Sequence, residues 1–208
     1  MKEIIVNKMQ EYINNETLLS MIETATGYIP HVGNVLGTIK LNRAERRIKE
    51  NRKLIEKLNS ISGLTKISVE FYSEKVFPLI LEDFYEEHED AKICYLLNGV
   101  YNIILEENHN ESVIYNYLET LRNLHYSDIR RLFYHAKIDS HDYFSSPELS
   151  ILIERTDNKL EKEGLISLPI SKTIPSHLIG FGSPNQEINQ IRLTSYGNNF
   201  ANFASEKI

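Results

Sequence analysis

The 208-residue chain has one cysteine, no tryptophan, six prolines and nine glycines. Cys94 alone cannot form an internal disulfide, so the fold does not depend on an oxidising compartment, and the residue fits best as a small side chain in the core. No uninterrupted apolar stretch reaches the roughly 20 residues that a membrane-crossing helix needs. The segment from Met1 to Ile13 is too charged for the apolar core of a secretion signal. These absences predict a cytoplasmic protein. Also missing are a phosphate loop, a dinucleotide fingerprint, a nucleophile elbow and a zinc-protease helix motif. The Gly-rich run Gly180-Phe181-Gly182-Ser183-Pro184 has no Lys-Ser or Lys-Thr ending and no strand-to-helix unit around it. The expectation is a protein that is not an enzyme and carries no cofactor or metal.

What the chain does have is charge sorted along its length. Lys and Arg number 23 against 29 Asp and Glu, for a formal net charge of −6. Residues 1–66 hold 11 basic against 7 acidic side chains, residues 67–119 hold 2 against 12, and residues 120–208 hold 10 against 10, so the blocks read +4, −10 and 0. Opposite patches of this kind steer encounters and fix register between surfaces. The overall acidity opposes general attraction to nucleic acid, although a local basic patch can still contact phosphates. With 41% hydrophobic and 25% charged residues, the chain has ordinary means to bury a core and should fold.

Ile4, Ile5, Met9, Tyr12 and Ile13 are spaced as on a short amphipathic helix, and an apolar run follows from Leu18 to Ile39. Gly27 and Pro30 break this run. From Pro30, in the first turn, the pattern predicts a single helix to about Leu58. Within it Gly33 and Gly37 are expected to allow close packing against a neighbour. Leu41, Ala44, Ile48, Asn51, Ile55 and Leu58 form one seam, with Arg43, Arg46, Arg47, Lys49, Arg52, Lys53 and Lys57 largely on the remaining basic faces. Two readings of that seam stand: a core helix with a solvated charged face, or a short coiled coil in which Asn51 sets register. After a break at 60–63, a helix is expected over 68–87 with Pro78 as a kink or boundary. It ends in an acidic stretch that includes Glu82, Asp83, Glu86 and Glu87. Ala91 to Leu105 carries the wide apolar stripe of a core helix.

The last 90 residues read differently. Short helices are expected at Ser112–Leu124 and Ser127–Ala136, and a third begins at Ser146-Pro147-Glu148 and ends near Gly164. Strand candidates at 165–168 and 190–193 flank a Pro- and Gly-containing loop, and a closing helix follows Thr194. This is the order of a winged-helix domain. The chain is therefore expected to be mainly α, with a helical domain over 1–110 and a winged-helix-like α+β domain over 111–208.

Three further groups carry residue types that could support chemistry. Glu82 and Glu86 share a helix face near His88, but no second cluster converges on them as a cation site requires. His125, His135 and His141 with Asp139 and Asp142 lack any zinc spacing. In the expected recognition helix, Arg155, Lys159 and Lys162 are balanced by Glu148, Glu154, Asp157, Glu161 and Glu163, which argues against phosphate binding there.

The succession of Gly27-Tyr28-Ile29-Pro30-His31-Val32-Gly33, an Arg-rich helix from Arg43 to Lys57, a helical middle and a winged-helix-like end resembles the abortive-infection alpha proteins of bacteria and phages. That resemblance implies a role in conflict between bacteria and phages, as defence, counter-defence or a prophage component, with no catalytic residues to carry over. The expected function is a non-enzymatic protein-interaction or regulatory component that self-associates or docks on a protein partner. The interaction residues are Arg43, Arg46, Arg47, Lys49, Arg52, Lys53, Glu82, Asp83, Glu86 and Glu87. The alternatives are a winged-helix DNA-binding regulator and an abortive-infection effector at the membrane surface, the latter suggested by the Gly33/Gly37 segment running into Lys and Arg.

Overall fold

Asn15, Thr65 and Asn110 start three helices in the same way: each side-chain oxygen accepts the backbone N–H three residues on, at 3.1, 3.1 and 3.3 Å. Such caps satisfy donors that a helix cannot satisfy internally. The computed structural model describes residues 7–27, 34–139, 152–169 and 191–206, the side chains of 34–41 excepted. A short helical turn at residues 7–10 is followed by α1 (Glu16–Thr26), α2 (Asn34–Glu50), α3 (Arg52–Lys57), α4 (Lys66–Phe71), a π turn at Tyr72–Val76, α5 (Phe77–Glu86), α6 (Ile93–Leu105) and α7 (Glu111–Asn123). Then come α8 (Tyr126–His135), α9 (Ile153–Lys162), β1 (Ile166–Ser167), β2 (Arg192–Leu193) and α10 (Ser195–Ala204). The described chain is mainly helical with one two-stranded sheet.

One helix expected to be continuous is divided, at a residue that competes with the backbone ladder, and the expected boundary at Pro78 is present. Asn51 interrupts the predicted Pro30–Leu58 helix: its side-chain amide donates to the Arg47 carbonyl at 2.9 Å, the same oxygen that its own backbone N–H reaches at 3.0 Å. Asn51 is thus engaged locally. Pro78 sits in the first turn of α5, where its missing N–H is tolerated, and the preceding turn widens to π geometry.

The chain divides into two units, one formed by Met1–His125 with Phe203–Ile208 and the other by Tyr126–Asn202. The division differs from the expected boundary after residue 110, because α7 buries Ile114, Leu118 and Leu121 and packs on α6 and on the π turn. In the first unit α6 is central, with Ile93, Leu96, Leu97, Val100, Ile103 and Ile104 all buried, which is the signature of a helix covered on most sides. Helix α5 packs on α1, α2 and α6. From the expected seam, Ala44, Ile48, Ile55 and Leu58 are buried.

In the second unit α8 packs on α9, and β1 pairs antiparallel with β2 in the register Ile166↔Leu193 and Ser167↔Arg192. Ile129, Leu132, Leu160, Leu165, Ile166 and Phe200 make its core. Thr194 caps α10 by accepting the Gly197 N–H at 2.8 Å. A Cβ at position 197 would lie 1.9 Å from the Leu165 carbonyl oxygen, so only glycine lets this helix start so near the β1 backbone. The expected start of the third helix at Ser146-Pro147-Glu148, and Pro175, Gly180, Gly182 and Pro184 of the expected wing loop, lie outside the described residues, as does His141.

Candidate interaction surface

The basic helix and the acidic helix meet through one side chain. Arg47 was expected on the exposed basic face of α2, but it is fully buried. Its Nε donates to Asp90 Oδ1 at 2.8 Å, and its two terminal nitrogens donate to the Phe84 and Glu87 carbonyls at the C-terminal end of α5. The guanidinium thus satisfies carbonyls that α5 cannot satisfy itself and places a positive charge at the negative end of that helix dipole. Arg46, half-exposed, reaches the other oxygen of Asp90. Against the effect of burial, Arg47 and Arg46 hold the Asp90 carboxyl below its ordinary range.

The remaining predicted basic residues lie outward. Lys49, Arg52 and Lys53 are exposed and Arg43 is half-buried. Arg52 pairs with Glu56 at 2.7 Å one turn on. Lys49 and Lys53 have no ion-pair partner among the described residues. Gly37 lies in α2, where side-chain surroundings are not described, and Gly33 lies outside the described residues.

The acidic residues sort by helix face. Glu82 and Glu86 are exposed, whereas Asp83 and Glu87 turn inward. Asp83 accepts from Arg122 Nε at 2.5 Å, and its second oxygen is buried with no hydrogen-bond partner. Burial dominates over Arg122 here and pushes the Asp83 carboxyl up to about 6. Glu87 behaves in the opposite way. Against its burial, the Glu89 N–H at 2.9 Å, the buried Lys92 ammonium at 2.6 Å and the His88 N–H at 2.7 Å bring its pKa below the usual carboxylate value. Glu82, Asp83, Glu86, Glu87, His88 and Arg122 line a surface depression of about 390 Å³. No group of His, Cys, Asp and Glu among the described residues is arranged to hold a metal ion.

Several clusters had no signal in the sequence. His109 Nε2 lies 3.0 Å from Ser68 Oγ, which in turn lies 2.8 Å from Thr65 Oγ1. Ser68 is 1% exposed, so the serine has no path to a substrate and the trio serves the cap of α4. His109 stacks on the buried Tyr72 ring at 5.4 Å, and burial followed by the Glu107 charge raises the Tyr72 phenol to about 12. In the second unit Asp157 accepts from Arg131 Nε and Nη2, each at 2.9 Å, and lies 3.2 Å from His135 Nε2. Lys159 reaches Asp128 at 2.7 Å. Of the expected histidine group, His125 pairs with Glu89 and His135 with Asp157, and Asp139 pairs with Arg130. Cys94 is half-buried, its thiol donating to the Ala91 carbonyl at 3.2 Å, and burial raises its pKa.

Glu154, Arg155, Asn158, Lys159 and Lys162 of α9 line an open depression of about 500 Å³. No helix among the described residues is long and apolar enough to cross a membrane. The chain matches no family model, no curated protein and no solved structure.

Proposed function

We propose that the chain is a non-enzymatic interaction component that docks on a protein partner or on itself through the charged faces of its first unit. One observation carries this reading: after the internal pairing of Arg47, Asp83, Glu87 and Asp90, the exposed Lys49 and Lys53 on the basic side and Glu82 on the acidic side are left without ion-pair partners among the described residues. Exposed charges of this kind contribute little to stability, and they set which surfaces meet and how fast. The resemblance to abortive-infection alpha proteins supports a setting in conflict between bacteria and phages. The test is light scattering and partner capture at low and high salt, with wild type compared to Lys49→Glu/Lys53→Glu. Association that weakens with salt and is lost in the double variant supports the reading. A monomer at low salt that captures no partner contradicts it.

A second reading, a DNA-binding regulator built on a winged-helix-like second unit, is favoured by one feature. Asp157 is buried against Arg131 and His135, so the outward depression on α9 carries Arg155, Lys159 and Lys162 against Glu154. Lys159 is held by Asp128, which reduces the charge available there. The test is salt-dependent duplex binding by the full chain and its loss in Arg155→Glu.

A further inference from the structure

Helix α9 is charge-balanced along its length, and the fold sorts that balance by face. At about 100° of rotation per residue, Asn158, Lys162, Arg155 and Lys159 fall within one arc about 100° wide. The opposite side is the packed one: Thr156, Asp157 and Leu160 are buried, and α9 lies on α8 and β1. The carboxylates of the helix lie outside the basic arc. Asp157 is held by Arg131 Nε and Nη2, each at 2.9 Å, and Glu161 accepts the Leu168 N–H at 3.0 Å. Glu163 is the C-terminal cap residue, and Glu154 stands at the edge of the open depression of about 500 Å³ that the four arc residues line. Within the arc, Lys159 is half-buried and neutralised by Asp128 at 2.7 Å. Arg155, Asn158 and Lys162 are exposed, and none of their side chains has a hydrogen bond or ion pair among the described residues.

Two features of this arc fit a nucleic-acid duplex. Arg155 and Lys162, seven residues apart, are about 10 Å apart along the axis, the length of about three base-pair steps, and their charges complement phosphates. Between them stands an amide, which offers a donor and an acceptor side by side. Adenine presents the matching pair on its major-groove edge, and guanine presents two acceptors that suit a guanidinium. An acidic protein surface would call for the charges alone, whereas base edges also give the amide something to bond. We propose that the outward arc of α9 enters the major groove of duplex DNA, with Asn158 on an adenine, Arg155 on a neighbouring guanine and Lys162 on a phosphate. This rests on the DNA-binding reading of the second unit and names the residues that would make the binding sequence-selective.

The experiment presents the full chain with duplex DNA carrying a random central segment, at low and high salt, and compares the sequences retained by wild type, Asn158→Ala, Arg155→Ala and Lys162→Ala. All three positions are exposed, so the thermal midpoints of the variants should match wild type. The expected result is a preferred site in wild type that contains an adenine and a guanine close together. Asn158→Ala loses the preference for that adenine by about tenfold and keeps the rest, and Arg155→Ala loses the preference for the guanine. Lys162→Ala weakens binding to all sequences alike and lowers the salt slope by about 1. Duplex binding with no sequence preference, or with a preference that Asn158→Ala leaves intact, overturns this inference and leaves the DNA-binding reading standing. A chain that binds no duplex, or that binds polyglutamate as tightly as duplex DNA at the same salt, overturns both and assigns the face to an acidic protein partner in the second case.

Discussion

Arg47 and Asp90, forty-three residues apart, form an ion pair at 2.8 Å in which the guanidinium is fully buried and the carboxylate is about one-third exposed. The pair joins the basic block of the sequence to the acidic one inside the first unit. Part of the charge sorting is therefore used in folding.

Truncating Arg47 leaves Asp90 with Arg46 alone and strands two helix-end carbonyls. Arg47→Leu is expected to destabilise the chain by about 1–3 kcal/mol for each buried carbonyl left without its donor. Arg47→Lys should not restore it, because a single ammonium cannot span a carboxylate and two carbonyls as the planar fork does. Arg46→Ala, at a half-exposed position, should cost less than about 1 kcal/mol. Urea denaturation of the three variants checks the ordering, and an Arg47→Lys chain as stable as wild type contradicts it.

Asp83 and Asp157 should respond to pH in opposite directions. The Asp83 carboxyl is raised from 3.8 to about 6, so the folded state holds its proton more tightly than the unfolded chain does. Its contribution is most favourable below the unfolded value and is lost as pH rises through about 6. Asp83→Asn should therefore gain stability relative to wild type on going from acid to neutral pH. A difference between the two proteins that does not change with pH would show that Asp83 titrates normally.

Asp157 is lowered: against burial, His135 and Arg131 favour its charged form. Its contribution is present above the unfolded value of 3.8 and is lost as pH falls through the lower folded value. Asp157→Asn should cost most at neutral pH, with the gap to wild type closing in acid. Thermal midpoints read by a probe in the second unit follow this. A gap that widens in acid contradicts the assignment.

Much of the helical layout was legible because it rests on local signals. The Ala44/Ile48/Ile55/Leu58 seam, the apolar stripe of α6, the break at Gly27 and the antiparallel partners near Ile166 and Leu193 each follow from periodicity or turn chemistry. Arg47 was misread because its position one residue before Ile48 also falls within the buried arc, and an arginine there looks solvent-facing until the Phe84 and Glu87 carbonyls are brought to it. The packing of Phe203 against α6 had no sequence signature. Asn98, Gly99 and Asn102 acquire a role only when Phe203, more than a hundred residues away, is packed against them. Long-range pairing of this kind is what periodicity cannot carry.

The central claim, a docking surface made of the charges left over from folding, is tested most directly by partner capture with the full chain at low and high salt, comparing wild type with Lys49→Glu/Lys53→Glu and with Glu82→Lys. The account predicts an association, with a second copy or another protein, that weakens with salt and is lost in the charge-reversed chains, while their thermal midpoints stay close to wild type. Binding that survives both high salt and charge reversal, or a chain that binds nothing at low salt, contradicts it.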